Sequence, residues 1–291
     1  MSNKIYPCLW FDGKGKEAAE FYCRVFENSK ITADTGLVQI FELSGKKFMA
    51  LNGGPKFKIN PSISFFVICK TEEEIEAKWK LLNEGGMIMM PLNSYPWSNK
   101  YGWCQDKYGV NWQLMIPLAT QGIGDMQSLS IIPSLMFTQQ NSGRANEAIE
   151  FYTSIFPGSK TEMIARYEKG EPDVEGYIKH ARFSLAGEIF ACMDSSGPHM
   201  FSFNEGLSLV VDCENQEELD YYWSKLTTDG GQESMCAWLK DKFGVSWQIV
   251  PTKLGELIGS PDREKADRAM QAMLKMKKII IADLQKAYDG N

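Results

Sequence analysis

The sequence predicts an α+β fold in which a small βαβββ unit occurs four times along the chain. Three observations predict it. Three sequence blocks recur in the same order in the two halves. Each block carries the strand or helix period of a βαβββ unit, and 291 residues suit two domains better than one core.

The first block, PCLWFDGKGKEAAEFYCRVFENSK from Pro7 to Lys30, returns as Pro133–Lys160 with four extra residues in the turn. ISFFVICKTEEEIEAKWKLLNEGG returns as LSLVVDCENQEELDYYWSKLTTDGG, and WCQDKYGVNWQLM as WLKDKFGVSWQIV. PCLWF alternates and is bounded by Gly13, which reads as a strand. Ala18, Phe21, Tyr22, Val25 and Phe26 then form a helical stripe. A hairpin pair follows, LVQIFELSG with KKFMALNGG, matched by HARFSLAG with EIFACMD. ISFFVIC opens the next unit. Thr71 with Glu74 makes a capping box ahead of Ile75, Trp79 and Leu82, and Asn215 with Glu218 repeats it ahead of Leu219, Trp223 and Leu226. Strands around Tyr101–Gln105 and Asn111–Met115, joined by the turn DKYG (DKFG in the second copy), complete the unit.

These blocks divide the chain into a first domain over 1–118, a linker over 119–130, a second domain over 131–254 and a helical tail over 255–291. In the tail, Ser260-Pro261-Asp262 reads as a cap, a proline and an acidic first turn. Ala266, Met270, Met273 and Leu274 form an apolar stripe expected to dock on its own domain, and Ile279–Ile281 are expected to be buried. One helix cannot cover both faces of a βαβββ sheet. Two units side by side give a curved mixed sheet with helices outside and a cup inside, a natural small-molecule site.

Composition narrows the partners. A net charge of −6 argues against a nucleic-acid surface, which needs clustered Lys and Arg. No stretch approaches the roughly 20 apolar residues of a membrane span, and the start lacks the apolar run of a signal peptide. The seven cysteines are scattered, with no CxxC pair, as expected of reduced thiols in a cytoplasmic protein. The expected partner is a small molecule, with neither nucleic acid nor membrane, and the expected state a monomer or homodimer.

The FDG opening with its EAAEFY helix, ALNGGPKFK (Ala50–Lys58) and CAWLKDKFGVSWQIVP (Cys236–Pro251) resemble PhnB-like proteins. The tail DREKADRAMQAMLKMKKIIIADLQKAY is similar to that family's tail. The family belongs to the vicinal-oxygen-chelate superfamily of glyoxalases, bleomycin-resistance proteins and extradiol dioxygenases, and its members carry the label 3-demethylubiquinone-9 3-methyltransferase. The resemblance implies tandem vicinal-oxygen-chelate domains, each of two βαβββ modules.

Methyl transfer from S-adenosylmethionine calls for a glycine-rich turn after a strand and an acidic residue about 20 positions on. Gly13-Lys14-Gly15 does not complete that pattern, so no cofactor is expected. The superfamily's metal ligands are implied near Tyr6, Phe48 or Ala50, Ser62 and at Gln113, then near Ile132, Phe190 or Cys192, Gly206 and at Gln248. Neither copy has a carboxylate or imidazole there, so no metal site is expected. Strand alternation instead puts Trp103 with Gln113, and Trp238 with Gln248, on the cup faces, with Cys236 sharing the face of Trp238. Asn52 stands at the first rim. A flat or apolar ligand could be sandwiched there. If there is chemistry, the acid/base candidate is His199 on the loop after Asp194, and the nucleophile candidate is Cys236. Whether the protein is an enzyme stays open. The alternatives to simple ligand binding are a metal-assisted lyase, isomerase or dioxygenase, and antibiotic sequestration without chemistry.

Overall fold

The computed structural model describes residues 4–118 and 130–291. Apart from Ser130, the linker expected over 119–130 lies outside the described residues. Four βαβββ modules follow in order. The first holds β1 (Ile5–Phe11), α1 (Gly15–Val25), β2 (Lys30–Asp34), β3 (Val38–Leu43) and β4 (Lys46–Asn52). The second holds β5 (Ile63–Ile68), α2 (Glu72–Leu82), β6 (Met87–Tyr95), β7 (Ser98–Gln105) and β8 (Asn111–Pro117). The third holds β9 (Ile131–Phe137), α3 (Ala145–Ile155), β10 (Lys160–Arg166), β11 (Ile178–Leu185) and β12 (Glu188–Asp194). The fourth holds β13 (Leu207–Cys213), α4 (Gln216–Leu226), β14 (Gln232–Glu233), β15 (Trp238–Lys240) and β16 (Ser246–Pro251). Helices α5 (Thr252–Ile258), α6 (Arg263–Met273) and α7 (Ile281–Asp289) complete the tail.

Contacts gather these elements into two compact units, Leu9–Leu207 and Met1–Cys8 with Ser208–Asn291. Within Leu9–Leu207 an eight-stranded mixed sheet runs β10-β11-β12-β9-β5-β8-β7-β6. Its centre is the antiparallel pairing of β5 with β9, in which Ser64 faces Ser134 and Phe66 faces Ile132. The second module therefore shares a sheet with the third, whereas the repeat by itself puts modules of one copy together. Both β5 and β9 are apolar first strands of like modules, so either offers an edge that the other can complete. The same unit holds the antiparallel run β2-β3-β4. Within the other unit the strands run β14-β15-β16-β13, and Asp212 N donates to Lys4 O to bring the start of β1 beside β13.

The helices form where the sequence caps them. Glu74 N donates to Thr71 Oγ1 at 3.2 Å and Glu218 N to Asn215 Oδ1 at 2.9 Å. Each satisfies one amide that the first helical turn leaves without a partner. In both capping boxes the glutamate reaches back to the amide before the cap, Lys70 N at 2.7 Å and Glu214 N at 2.8 Å.

Outside the Leu9–Leu207 sheet, Tyr22 of α1 and Phe26 at its C-terminal cap pack on Trp112 with ring centroids 5.3 and 5.1 Å away. Trp112 and Trp247 are fully buried, as their alternation opposite Gln113 and Gln248 predicts. A third residue type fixes them: Trp112 Nε1 donates to Asp106 Oδ2 and Trp247 Nε1 to Asp241 Oδ2, both at 2.8 Å. These aspartates belong to the DKYG and DKFG turns, whose amides also donate to them.

The tail docks on its own unit. Asp262 rather than Ser260 caps α6, accepting from Lys265 N, while the Ser260 hydroxyl meets Tyr288 Oη at 2.8 Å. Ala266 and Ile279 are buried, but Leu274 is exposed and Ile280 and Ile281 are only half-buried. Among the described residues no helix is long and apolar enough to cross a membrane.

Candidate functional site

The site is built on the inner face of the Leu9–Leu207 sheet, the face opposite Trp112. Register places Trp103, Gln113, Phe66 and Ile132 in one row across β7, β8, β5 and β9. Phe66, Ile68, Tyr101, Met115, Ile132 and Ala191 form a buried apolar floor, with Trp103, Tyr95, Met90 and Ile189 packed against it. The sheet curls. Phe66 on β5 and His180 on β11 have two strands between them in the order, yet their rings meet edge to face with centroids 5.7 Å apart.

Polar groups are few on this face and mostly held. Gln113 Nε2 donates to Ser64 Oγ at 2.7 Å, and Tyr101 Oη donates to Gln113 Oε1 at 2.6 Å. Gln113 is 1% exposed, so these bonds fix the amide's orientation. Burial raises the Tyr101 phenol well above its ordinary range, which keeps it a donor. Two donors on the face have no partner: Trp103 Nε1 and Arg182 Nε are buried and make no hydrogen bond among the described residues. Such groups are costly unless something accepts from them.

The Met1–Cys8 and Ser208–Asn291 unit repeats part of the arrangement. Gln248 Nε2 donates to Ser208 Oγ at 2.9 Å, and Trp238 stands opposite Gln248 in register. Cys8 is hydrogen-bonded with both Gln248 and Ser208, and burial pushes its thiol up to about 12. Tyr6 Oη donates to Asp212 Oδ1 at 2.9 Å, and burial followed by the Asp212 charge raises the phenol far above its usual value. So the partners of Gln113 and Gln248 are Ser64 and Ser208, two residues beyond the positions inferred at Ser62 and Gly206.

Three sequence-predicted residues stand elsewhere. Asn52 shares the face of Phe48 and Ala50 on β4, which turns toward α1. Its Oδ1 accepts from Gly15 N at 2.8 Å and its Nδ2 donates to Gly36 O, so it anchors the helix entry. Cys236 lies outside β15 with φ at 59°; its amide donates to Met276 O at 2.7 Å and its thiol points to Leu274 O. Burial raises that thiol, the opposite of what a nucleophile needs. The His199 ring meets Ser195 Oγ at 2.7 Å, and its carbonyl accepts from Gln139 Nε2. Asp194 is no partner for it, because its carboxylate accepts from Gly143 N, Ala145 N and Ile178 N.

His180 and Arg182 were not among the candidates, although β11 carries the signal. Ala181, Phe183 and Leu185 are the buried parity of HARFSL, which sends His180 and Arg182 to the opposite, inner face. Burial, with the Arg182 charge second, lowers His180 to about 4, so the imidazole is neutral at physiological pH.

Residues 3–115 and 129–250 match the family model described as 3-demethylubiquinone-9 3-methyltransferase. The chain belongs to this family. A putative member from Bacillus cereus, described as a PhnB protein, is 39% identical over 99% of its own length and 39% of this chain, with a TM-score of 0.37. A protein from Staphylococcus aureus is 33% identical over 99% of its length and 40% of this chain, with a TM-score of 0.19. A glyoxalase I mutant from Zea mays matches over 86% of this chain and 95% of its own, at 12% identity and a TM-score of 0.53, which shows a shared fold. No curated protein sequence matches the chain.

The glyoxalase fold implies a divalent metal on the inner face, and the residues present do not fit one. Ser64, Ser134 and Gln113 offer two hydroxyls and an amide already bonded to Tyr101 and Ser64, with no carboxylate among them. Arg182 adds a cation to the same face. Among the described residues no cluster of three His, Cys, Asp or Glu side chains could hold a metal ion.

Proposed function

We propose that this family member binds a small, largely apolar or aromatic molecule on the inner face of the Leu9–Leu207 sheet, without the superfamily's metal. The observation that carries the reading is the Trp103 indole N–H, buried and without a partner beside an apolar floor. A ligand acceptor would satisfy it. Phe66, Ile132 and the Trp103 and Tyr95 rings supply apolar area, and Gln113 supplies a fixed polar reference.

This set suits binding and orientation better than acid/base work. Tyr101 and Gln113 are neutral, and His199 and Cys236 are engaged by their own loop and by the tail. Sequestration of a drug-like molecule fits the same features and differs only in lacking turnover. Methyl transfer from S-adenosylmethionine is not favoured, because Gly13-Lys14-Gly15 leads into α1 without the rest of a cofactor-binding turn.

A thermal-shift screen of flat aromatic compounds, followed by calorimetry on the hits, tests the reading. Trp103→Phe keeps an aromatic ring but removes the N–H and part of the ring area, and is expected to weaken a hit about fivefold or more, at least the worth of one hydrogen bond. Gln113→Leu is expected to cost about tenfold or more, since it also frees Tyr101 and Ser64. Hits that bind the double variant as tightly as the wild type would overturn the assignment, as would a screen with no hits.

A further inference from the structure

Deepening that reading, we propose that the ligand is an organic anion: a carboxylate on an apolar body, with the carboxylate seated on the guanidinium of Arg182. Arg182 lies on the inner face of β11, directly opposite Ala191 of β12 in register. Ala191 belongs to the apolar floor with Phe66 and Ile132. A guanidinium is a cation, and a half-buried one is stable only when something answers its charge. Among the described residues no carboxylate forms an ion pair with Arg182, and its Nε is a buried donor with no acceptor.

The neighbours fit an incoming anion and no internal one. His180, on the same face of β11, is neutral, so it cannot serve as the counter-ion but can donate an N–H to a carboxylate. Its edge rests on Phe66, which leads from the cation onto the apolar floor. A planar fork matches a carboxylate bidentately, which favours that group over a neutral acceptor. The feature is particular to one module. In the matching strand of the first module, β3, the sequence FELSG aligned on FSLAG puts Val38 and Ile40 where His180 and Arg182 stand. The duplicated chain thus carries the basic pair once.

The test compares 2-naphthoate, its uncharged analogue 2-naphthamide and inorganic phosphate by calorimetry on the full chain. Naphthoate is expected to bind at least tenfold more tightly than naphthamide, and phosphate more weakly than naphthoate. Arg182→Met should abolish the preference for naphthoate while leaving naphthamide within about twofold, and Arg182→Lys should retain part of it. Arg182→Met should also raise the melting temperature of the ligand-free chain, because it removes an unanswered buried cation; a merely structural arginine would lower it. A second readout uses the two histidines in the chain. With His199→Ala assigning the signals, the His180 imidazole should titrate at higher pH with naphthoate bound. Equal binding of naphthoate and naphthamide, both lost in Gln113→Leu, would overturn the anion and keep the binding face. Phosphate binding as tightly as naphthoate would overturn the apolar body. No binding of either naphthalene at millimolar concentration would overturn the face itself.

Discussion

Asp106→Ala is expected to destabilise the chain by about 3 kcal/mol at neutral pH, and Asp241→Ala by a similar amount. Each carboxylate collects three N–H donors: Tyr108 N, Val110 N and Trp112 Nε1 for Asp106, and Phe243 N, Val245 N and Trp247 Nε1 for Asp241. Alanine leaves all three buried and unmet, at about 1–3 kcal/mol apiece. Part of that loss is offset, because burial pushes Asp106 up to about 6 and the charged form is no longer forced into the interior. The loss matters to the site because the same tryptophans hold the strands on which Gln113 and Gln248 sit. Urea unfolding followed by tryptophan fluorescence measures it. Lys107→Ala, which alters the same turn at an exposed cation beside the Phe21 ring, should cost less than about 1 kcal/mol. Equal losses for Asp106→Ala and Lys107→Ala would contradict this role.

Between about pH 4 and pH 6 two buried groups are expected to oppose one another, their contributions to stability nearly cancelling. His180 titrates at about 4 in the folded chain against an ordinary 6.5. The unfolded chain therefore takes up this proton first. Stability from the neutral imidazole is complete above about 6.5 and is lost as pH falls toward 4, in all about 3 kcal/mol. Asp106 runs the other way, its carboxyl raised by burial from 3.8 to about 6. The folded chain keeps that proton where the unfolded chain has lost it, so stability falls as pH rises through the same window, by a similar amount. Asp106→Asn should then expose a curve that rises with pH, and His180→Phe, which keeps the edge contact with Phe66, a curve that falls. Unfolding free energies at half-unit pH steps measure both slopes. Parallel curves for the two variants would contradict the assignment.

Much of the fold is legible in the sequence because the repeat states each signal twice. The capping boxes, the buried parity of Trp112 and Trp247, and the inner parity of Gln113 and Gln248 all follow from local spacing. Which module shares a sheet with which does not follow. β5 meets β9 through the same apolar alternation that any first strand of the four modules presents, so local pattern cannot choose between them. The site is less legible, for a different reason at each of three places. Asn52 was placed at a rim by its glycine neighbours, although its parity with Phe48 and Ala50 already sends it toward α1. Cys236 shares the parity of Trp238, but the tail captures its backbone through the Met276 carbonyl before β15 begins. His180 and Arg182 stand at no position that the resemblance implies for a ligand. Their own alternation with Ala181 and Phe183 names the face they occupy.

The ligand-binding claim rests most directly on the Trp103 indole, one of eight in the chain. Its N–H signal in a proton–nitrogen correlation spectrum, assigned with Trp103→Phe, can be followed while 2-naphthoate is added. A saturable shift of the Trp103 signal is expected, with those of Trp112 and Trp247, tied to Asp106 and Asp241, left in place. A Trp103 signal that stays fixed, or a drift shared by all eight without saturation, would contradict it.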